Sequence, residues 1–219
     1  TNIIGSTFLN STAYGGDGGA GYIGGFNTTI QESDFKSTSA EDGKGWAIYI
    51  AGDSANIFDS TFNEAQAEYG GAIYIGGYRT GRDAKVLNCK ITSTTSDADG
   101  GAIYVAGNNA LVSANIKDTK ALGLNAGKGS GGAIYVGGDY SNITASTFEN
   151  CSAGLDSYGG AIYIEGDEAN IEKSTFHNTY AVEGSEGAAG GAIAIEGEDA
   201  VVTDSEFTEC YAREGGVIF

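Results

Sequence analysis

A six-residue segment recurs along the whole chain and limits the possible folds more than any other feature. It reads GGAIYI at residues 70–75, and consecutive copies begin 25 to 31 residues apart. The first glycines of the eight copies are Gly18, Gly45, Gly70, Gly100, Gly131, Gly159, Gly190 and Gly215. A repeat of this length over 219 residues is typical of a solenoid, in which each repeat packs only on its neighbours.

A second segment keeps register with the first. A phenylalanine follows the first glycine by 17 residues in most repeats, with an aliphatic residue five places before it and a small residue five places after it. These phenylalanines include Phe35, Phe62, Phe148, Phe176 and Phe207. Both segments are short, rich in β-branched and aromatic residues, and bounded by Gly, Asp or Asn, which is typical of strands. No segment has the 3.6-residue period of a helix.

The repeat therefore predicts an all-β fold. Identical strands that return once per turn pair in parallel with their copies above and below. We expect a right-handed parallel β-helix of about eight coils of 25–31 residues, forming one domain over residues 1–219 with a partial coil at each end. The chain has 37 glycines for corners and no proline, which fits a ladder paired on both sides.

The alternation within GGAIYI predicts a core and a surface column. It puts Ile73 and Ile75 on the inner face and Ala72 and Tyr74 on the outer face. The tyrosines of this outer column are Tyr22, Tyr49, Tyr74, Tyr104, Tyr135 and Tyr163, followed by Ala194 and Phe219. One interpretation is a surface contact stripe for another filament or for sugar rings. The other is that stacked tyrosines only stabilise neighbouring strands.

Composition excludes some function classes. With 29 acidic and 11 basic residues the formal net charge is −18, which argues against nucleic-acid binding because that needs a cationic surface. No apolar run approaches the roughly 18 residues of a membrane span. The three cysteines, Cys89, Cys151 and Cys210, match neither a disulfide framework nor a zinc pattern, so we expect free buried thiols.

The sequence offers little for catalysis. Its only histidine is His177, and the outer positions of the repeated strand are Ala and Tyr rather than the carboxylates and cations of a polysaccharide lyase or hydrolase. We therefore expect no enzyme and no cofactor. Acidic residues recur at the turn after the repeated strand, at Asp53, Asp139, Asp167 and Glu198. We interpret them mainly as carboxylates exposed to solvent. Asp167 and Glu198 are the one weak candidate pair for Ca²⁺, and we expect no other metal site.

Four Asn-x-Ser/Thr sequons occur, at Asn10, Asn27, Asn142 and Asn150. They are candidate glycosylation sites and give weak support for export.

The pairing of GGAI with STFxN segments resembles two groups of surface proteins. STFLNSTA at residues 6–13, STFENCSA at 146–153 and STFHNTYA at 174–181 resemble repeats of chlamydial polymorphic outer-membrane proteins and of adhesin-like proteins from methanogenic archaea. In the chlamydial pattern Asn stands three places after Phe, whereas here it stands two places after, at Asn10, Asn150 and Asn178. The resemblance covers essentially the whole chain and implies an extracellular or cell-surface β-helix used in adhesion or coat building.

The two ends of the sequence match in register. The chain starts within a coil, with Ile3, Ile4 and Phe8, and stops just after a first strand, with Val217, Ile218 and Phe219. Uncapped strand edges recruit other chains, so these six residues predict a head-to-tail interface that generates filaments. Alternatively, the chain is cut from a longer repeat array.

Three functional hypotheses follow. The first is a structural subunit of an extracellular filament or surface layer, with self as the partner. The second is an adhesin segment that binds glycans or other surface proteins through the tyrosine column or loops. The third, less favoured, is an enzyme acting on polysaccharides.

Overall fold

Each sequence repeat folds into one turn of a parallel β-solenoid, which confirms the predicted all-β, right-handed parallel β-helix. The structure is a computed structural model that describes residues 1–41, 43–76, 80–124, 129–182 and 187–219. It has about seven turns, close to the eight coils predicted. Within the described residues, no helix is long and apolar enough to cross a membrane.

Most of the described strands have only three residues, because the coils turn several corners, while β12 and β14 have 12 and 11. In chain order they are β1 (Asn2–Ile4), β2 (Thr7–Leu9), β3 (Thr12–Tyr14), β4 (Gly21–Ile23), β5 (Thr29–Gln31), β6 (Asp34–Lys36), β7 (Ser39–Glu41), β8 (Ile48–Ile50), β9 (Asn56–Phe58), β10 (Thr61–Ala67), β11 (Ile73–Ile75), β12 (Lys85–Ser96), β13 (Ile103–Val105), β14 (Leu111–Ala121), β15 (Ile134–Val136), β16 (Asn142–Thr144), β17 (Thr147–Leu155), β18 (Ile162–Ile164), β19 (Asn170–Glu172), β20 (Thr175–Val182), β21 (Ile193–Ile195), β22 (Val201–Thr203) and β23 (Glu206–Tyr211).

The strands stack into parallel ladders that run the length of the solenoid. One ladder has the order β1-β5-β9-β12-β14-β16-β19-β22, and β2, β6, β10, β17, β20 and β23 extend the same sheet around a corner. The GGAIYI strands form a separate sheet in the order β21-β18-β15-β13-β11-β8-β4. A single bridge from Ile193 to Ile218 carries this second sheet into the last coil. Every turn therefore rests on the same columns of residues.

The two consecutive glycines of the repeat are required for two different structural reasons. Gly100 adopts a φ of +67°, a left-handed conformation that a side chain disfavours. At Gly101 a Cβ would lie 2.1 Å from the carbonyl oxygen of Gly132 in the next coil. The first glycine thus makes the corner, and the second allows two coils to approach.

Bends at residues other than glycine split the second predicted strand. In NIEKSTF, Lys173 has a φ of +51° and separates β19 from β20. Asn178, further along β20, also has a φ of +51°. Comparable bends recur in the same columns, mostly at Asn, Asp, Ser and Glu. The sequence predicted one continuous strand here, and these left-handed bends make two.

The core consists of stacked columns of identical residue types. Ile73 and Ile75 are fully buried, as predicted, and pair with the isoleucines and valines of the coils on either side. The phenylalanine rings stack at 4.8 Å in two runs, and Ile91 and Ile116 occupy the positions between them. Ala72 is also fully buried, so its predicted outer position was wrong, because the backbone bends before β11 begins.

Candidate functional site

The tyrosines of the repeated strand form a continuous ladder of rings on the second sheet. Tyr49, Tyr74, Tyr104 and Tyr135 lie directly opposite one another in the parallel register. Their ring centroids are 4.5 to 5.1 Å apart, and their ring planes differ by at most 8°. Tyr22 and Tyr163 extend the ladder at its ends, at 4.9 Å and 5.2 Å from their neighbours. We call these six residues the tyrosine ladder.

Stacking covers the ring faces within the ladder. Tyr49, Tyr74 and Tyr163 are only 6 to 8% exposed, and Tyr104 and Tyr135 are half-buried. Tyr22, in the first coil, is 62% exposed. Lys44 adds a cation–π contact, with its Nζ 5.0 Å from the ring centroid of Tyr74. A sugar ring therefore finds an open tyrosine face only near the start of the ladder, and elsewhere it meets ring edges and hydroxyls.

Carboxylates of the following coils bind the phenols at the far end of the ladder. Tyr135 donates a hydrogen bond through its hydroxyl to Glu165, and Tyr163 interacts in the same way with Glu196. Burial, together with these bonds, raises the pKa of both tyrosines above the usual range. Burial raises the pKa of Tyr104 to about 12. Tyr104, Tyr135 and Tyr163 therefore stay protonated at physiological pH, and the outer rim of this part of the ladder consists of hydroxyl and carboxylate groups.

Asp99 lies beside the ladder in a partly buried position. Its carboxylate accepts a hydrogen bond from the backbone N–H of Ser130 at 2.8 Å. Burial raises the pKa of Asp99 to about 6, although that hydrogen bond acts in the opposite direction, and the charge of Glu165 raises the pKa further. Asp99 therefore gains or loses its proton about one pH unit below neutrality.

The first coil leaves a strand edge and apolar side chains uncovered. Ile4 is 58% exposed, and Ile3 and Phe8 are half-buried. The ring of Phe8 stacks on Phe35 at 4.8 Å and has no ring on its other face among the described residues. Because β1 and β2 pair only with β5 and β6, their opposite edges are open.

The last coil has the matching features. Val217, Ile218 and Phe219 are 36%, 40% and 53% exposed. Phe207 stacks on Phe176 at 4.8 Å and is half-buried. Strands β22 and β23 pair only with β19 and β20, so this end also presents an open edge. The structure thus places the six predicted interface residues on the two end coils, three on each.

A serine column, which the sequence analysis missed, connects the coils inside the solenoid. Apart from Ser6 in the first coil, each serine two places before the Phe landmark accepts a hydrogen bond from the backbone N–H at the same position in the preceding coil, at 3.1 to 3.2 Å. Each hydroxyl also donates to the carbonyl two residues earlier. The column members are Ser6, Ser33, Ser60, Ser146, Ser174 and Ser205, and Cys89 donates in the same way. The recurring Ser of STF was the available signal.

The acidic turn column has a structural role. The carboxylate of Asp139 accepts the backbone N–H of Asp167 at 3.1 Å, and that of Asp167 accepts the N–H of Glu198 at 2.8 Å. Asp53 accepts the N–H of Arg82 at 3.0 Å. The proposed Ca²⁺ pair, Asp167 and Glu198, is thus joined by a carboxylate–backbone bond. Among the described residues no group of three or more His, Cys, Asp and Glu could hold a metal.

The sequons lie on corners or short strands. Asn10 and Asn27 are exposed and have φ values of +52° and +51°. Asn142 is exposed in β16, where its side-chain amide donates to the carbonyl of Tyr140 at 3.2 Å. Asn150 is half-buried, and its amide donates to Asp118 at 2.7 Å. Three of the four sequons therefore have exposed asparagines.

The cysteines are free, and two of them are inaccessible. Cys89 and Cys151 are 1% and 0% exposed, and burial raises their pKa to about 11 and about 12. Cys210, in the last coil, is half-buried and accepts a hydrogen bond from Thr179 at 3.2 Å. Cys210 is therefore the most accessible thiol of the three.

His177 is exposed, and its Nε2 lies 3.9 Å from Oε2 of Glu209.

Comparison with known proteins gives no further assignment: no protein-family profile, curated protein or solved structure matches this chain.

Proposed function

We propose that this chain is a structural subunit of an extracellular filament or surface layer, in which copies stack head to tail. The observation that carries the proposal is the uniform stacking of the coils, in which each coil offers the strand edges of the same parallel ladders to the next. Such edges pair readily with other strands. A contact between two different surfaces of identical subunits does not close on itself and generates a filament. This role is architectural and requires no catalytic group.

Two observations support a location outside the cell, and the charge of the chain bears on how neighbouring filaments pack. The STFxN and GGAI segments resemble repeats of bacterial and archaeal surface proteins. Exposed sequons at Asn10, Asn27 and Asn142 are available to a glycosylation system. The acidic surface, with a formal charge of −18, keeps the lateral faces of neighbouring filaments apart at low salt.

The test follows assembly of the purified 219-residue chain. Sedimentation velocity over a range of concentrations, with negative-stain electron microscopy of the same samples, should give unbranched filaments one solenoid wide. Phe8→Glu puts a carboxylate into the apolar end of the first coil and should leave monomers. Leu155→Glu is the matched control, because Leu155 is 64% exposed on the side of the solenoid and away from either end. Discrete particles of one solenoid's length at every concentration would contradict the proposal.

We propose adhesion as a second function, because the rim of the tyrosine ladder presents hydroxyl and carboxylate groups in a regular row. These groups can hydrogen-bond to sugar hydroxyls without access to the covered ring faces. Glu165→Ala removes one exposed carboxylate of this rim. If the rim binds glycans, this variant loses signal on a glycan array and still forms filaments. An unchanged array signal would exclude the rim as a glycan site.

A further inference from the structure

Lysines are concentrated on two neighbouring strands in the middle of the solenoid. Strands β12 and β14 together carry four lysines and a single carboxylate, Asp118, in a chain with 29 acidic and 11 basic residues. The four lysines are all exposed: Lys85, Lys90, Lys117 and Lys120. Charges more than about 8 Å apart are largely screened at physiological ionic strength, so the acids of distant coils do not cancel this local positive charge.

A groove of about 240 Å³ crosses β12, β14 and β17 on the outside of the solenoid. Two rows of outward side chains line it, with the backbone of the buried Ile116 between them. In parallel register, the rows are Lys90, Asn115 and Thr147, and Thr92, Lys117 and Glu149. Neighbouring strands of a row are about 4.8 Å apart, so the groove follows the axis of the solenoid.

The two lysines of the groove differ in their contacts. Lys117 donates a hydrogen bond to Oε1 of Glu149 at 2.7 Å, and the two side chains are 45% and 39% exposed. Among the described residues, no carboxylate lies within ion-pairing distance of Lys90. An anionic group can therefore bind Lys90 directly and take the place of the exposed Glu149 carboxylate at Lys117.

The other positions of the two rows carry hydroxyl and amide groups. Asn115 and Thr147 are exposed, and the hydroxyl of Thr92 donates to Oδ1 of Asn63 at 2.7 Å and keeps its lone pairs as acceptors. Such groups pair well with sugar hydroxyls. None of the described residues that line the groove is aromatic, so it has no stacking surface of the kind that binds single-stranded nucleic acids.

From the charge, the direction and the lining of this groove we infer a binding site for a linear acidic polysaccharide. Its carboxylate or sulfate groups contact Lys90 and Lys117, and its hydroxyl groups bond to the amide and hydroxyl side chains of the two rows. The site lies on a different sheet from the tyrosine ladder. It is complete within one chain and does not depend on filament formation.

The test measures binding of fluorescein-labelled oligosaccharides to the purified chain by fluorescence anisotropy. Heparin fragments carry sulfate and carboxylate groups, polygalacturonate fragments carry carboxylates alone, and dextran fragments are the uncharged control. At least one acidic oligosaccharide should bind, with an affinity that falls as salt is added, and dextran should not. Binding of heparin fragments alone would assign the site to sulfate groups. Absence of binding by both acidic oligosaccharides would overturn the inference.

Single-stranded DNA separates a polysaccharide site from a general response to polyanions. Labelled oligothymidylate carries the negative charge without sugar hydroxyls in the same arrangement, so it should bind more weakly than the acidic oligosaccharide that binds. Equal or tighter binding of oligothymidylate would overturn the assignment to a polysaccharide.

Charge reversal at Lys90 tests the location of the site. Lys90→Glu should weaken binding by about tenfold, because one attractive contact becomes repulsive. Lys173→Glu is the matched control, since Lys173 is exposed at the bend between β19 and β20, with its Nζ 3.2 Å from Oε2 of Glu172. This control makes the same change in net charge and should alter binding by less than about twofold. Equal losses in the two variants would overturn the site.

Glu149→Gln tests the contact with Lys117 in the opposite direction. Removal of this carboxylate frees the Lys117 ammonium group for the ligand, so the affinity should rise by about two- to fivefold. Glu172→Gln, which removes the carboxylate beside Lys173, should leave the affinity unchanged. An affinity that stays the same or falls in Glu149→Gln would overturn the role of Lys117 and with it the proposed site.

Discussion

Tyr135 donates a hydrogen bond through its hydroxyl to Glu165, a residue of the following coil, while its ring stacks 4.5 Å from that of Tyr104. One side chain thus joins three coils, by stacking below and by a charge-assisted bond above. The tyrosine of the repeated segment therefore contributes to the cohesion of the solenoid, whatever its outer edge binds.

Substitutions at Tyr135 should separate these two contributions. Tyr135→Phe keeps the stacked ring and removes the bond to Glu165, so we expect a loss of about 1 kcal/mol in the free energy of unfolding. Tyr135→Ala also removes the stack and should cost about 3 kcal/mol. Urea denaturation followed by circular dichroism measures both. Equal losses for the two variants would show that stacking contributes nothing at this position.

The stability of the solenoid should respond to the protonation of Asp99. Burial raises the pKa of this carboxyl to about 6 in the folded protein, above its value of 3.8 as a model compound. The folded state therefore binds the proton more tightly than the unfolded state, and this contribution to stability rises as the pH falls from about 7 towards 4. This stabilising contribution is lost as the pH rises through about 6, the pKa of Asp99 in the folded protein.

Asp99→Asn isolates that contribution from the other acids. The variant keeps an oxygen that can accept the Ser130 N–H and removes the charge. At about pH 7.5 it should be more stable than the parent by on the order of 1 kcal/mol, and the two should converge near pH 4. Urea midpoints measured across this range provide the test, and two parallel pH profiles would contradict it.

The serine column should be sensitive to loss of a single hydroxyl. Ser146 is 2% exposed, accepts the N–H of Ala114 at 3.1 Å and donates to the carbonyl of Thr144 at 3.1 Å. Ser146→Ala leaves both backbone groups without this partner, so we expect a loss of about 1–3 kcal/mol in the free energy of unfolding. Ser113, whose hydroxyl makes one contact of 3.4 Å, is the control. Ser113→Ala should change stability by less than about 0.5 kcal/mol.

The second glycine of the repeat should tolerate no side chain. Gly101→Ala places a Cβ against the carbonyl of Gly132 and should separate two coils, with a loss of several degrees in the thermal midpoint. Gly25→Ala is the control, because it makes the same chemical change at a position where a Cβ meets no atom within 4 Å. Its midpoint should stay the same or rise, because alanine reduces the freedom of the unfolded chain. Equal midpoints for the two variants would contradict the packing argument.

The sequence predicted the solenoid because the repeat and the alternation of Ile73, Tyr74 and Ile75 both follow from parallel stacking. It did not predict the left-handed bends at Lys173 and Asn178, since neither residue type requires a positive φ. It also missed Ser146, because a buried hydroxyl is recognised by its backbone partners, which only the folded coils bring together. The sequence also did not predict the burial of Ala72, because that depends on a backbone bend just before β11.

The ends of the solenoid are a different case. Sequence register identified Ile3, Phe8 and Phe219 as candidates for assembly, and the structure places them on the two end coils. What the sequence left out was the serine column, whose first and last members, Ser6 and Ser205, lie on the same two coils.

Cryo-electron microscopy of filaments grown from the 219-residue chain tests the central proposal most directly. The eight strands of the ladder from β1 to β22, spaced about 4.8 Å apart, predict a subunit rise of about 38 Å along the filament, with a strong layer line near 4.8 Å. A chain that stays monomeric at every concentration, or filaments whose subunits meet side by side, would contradict the proposal.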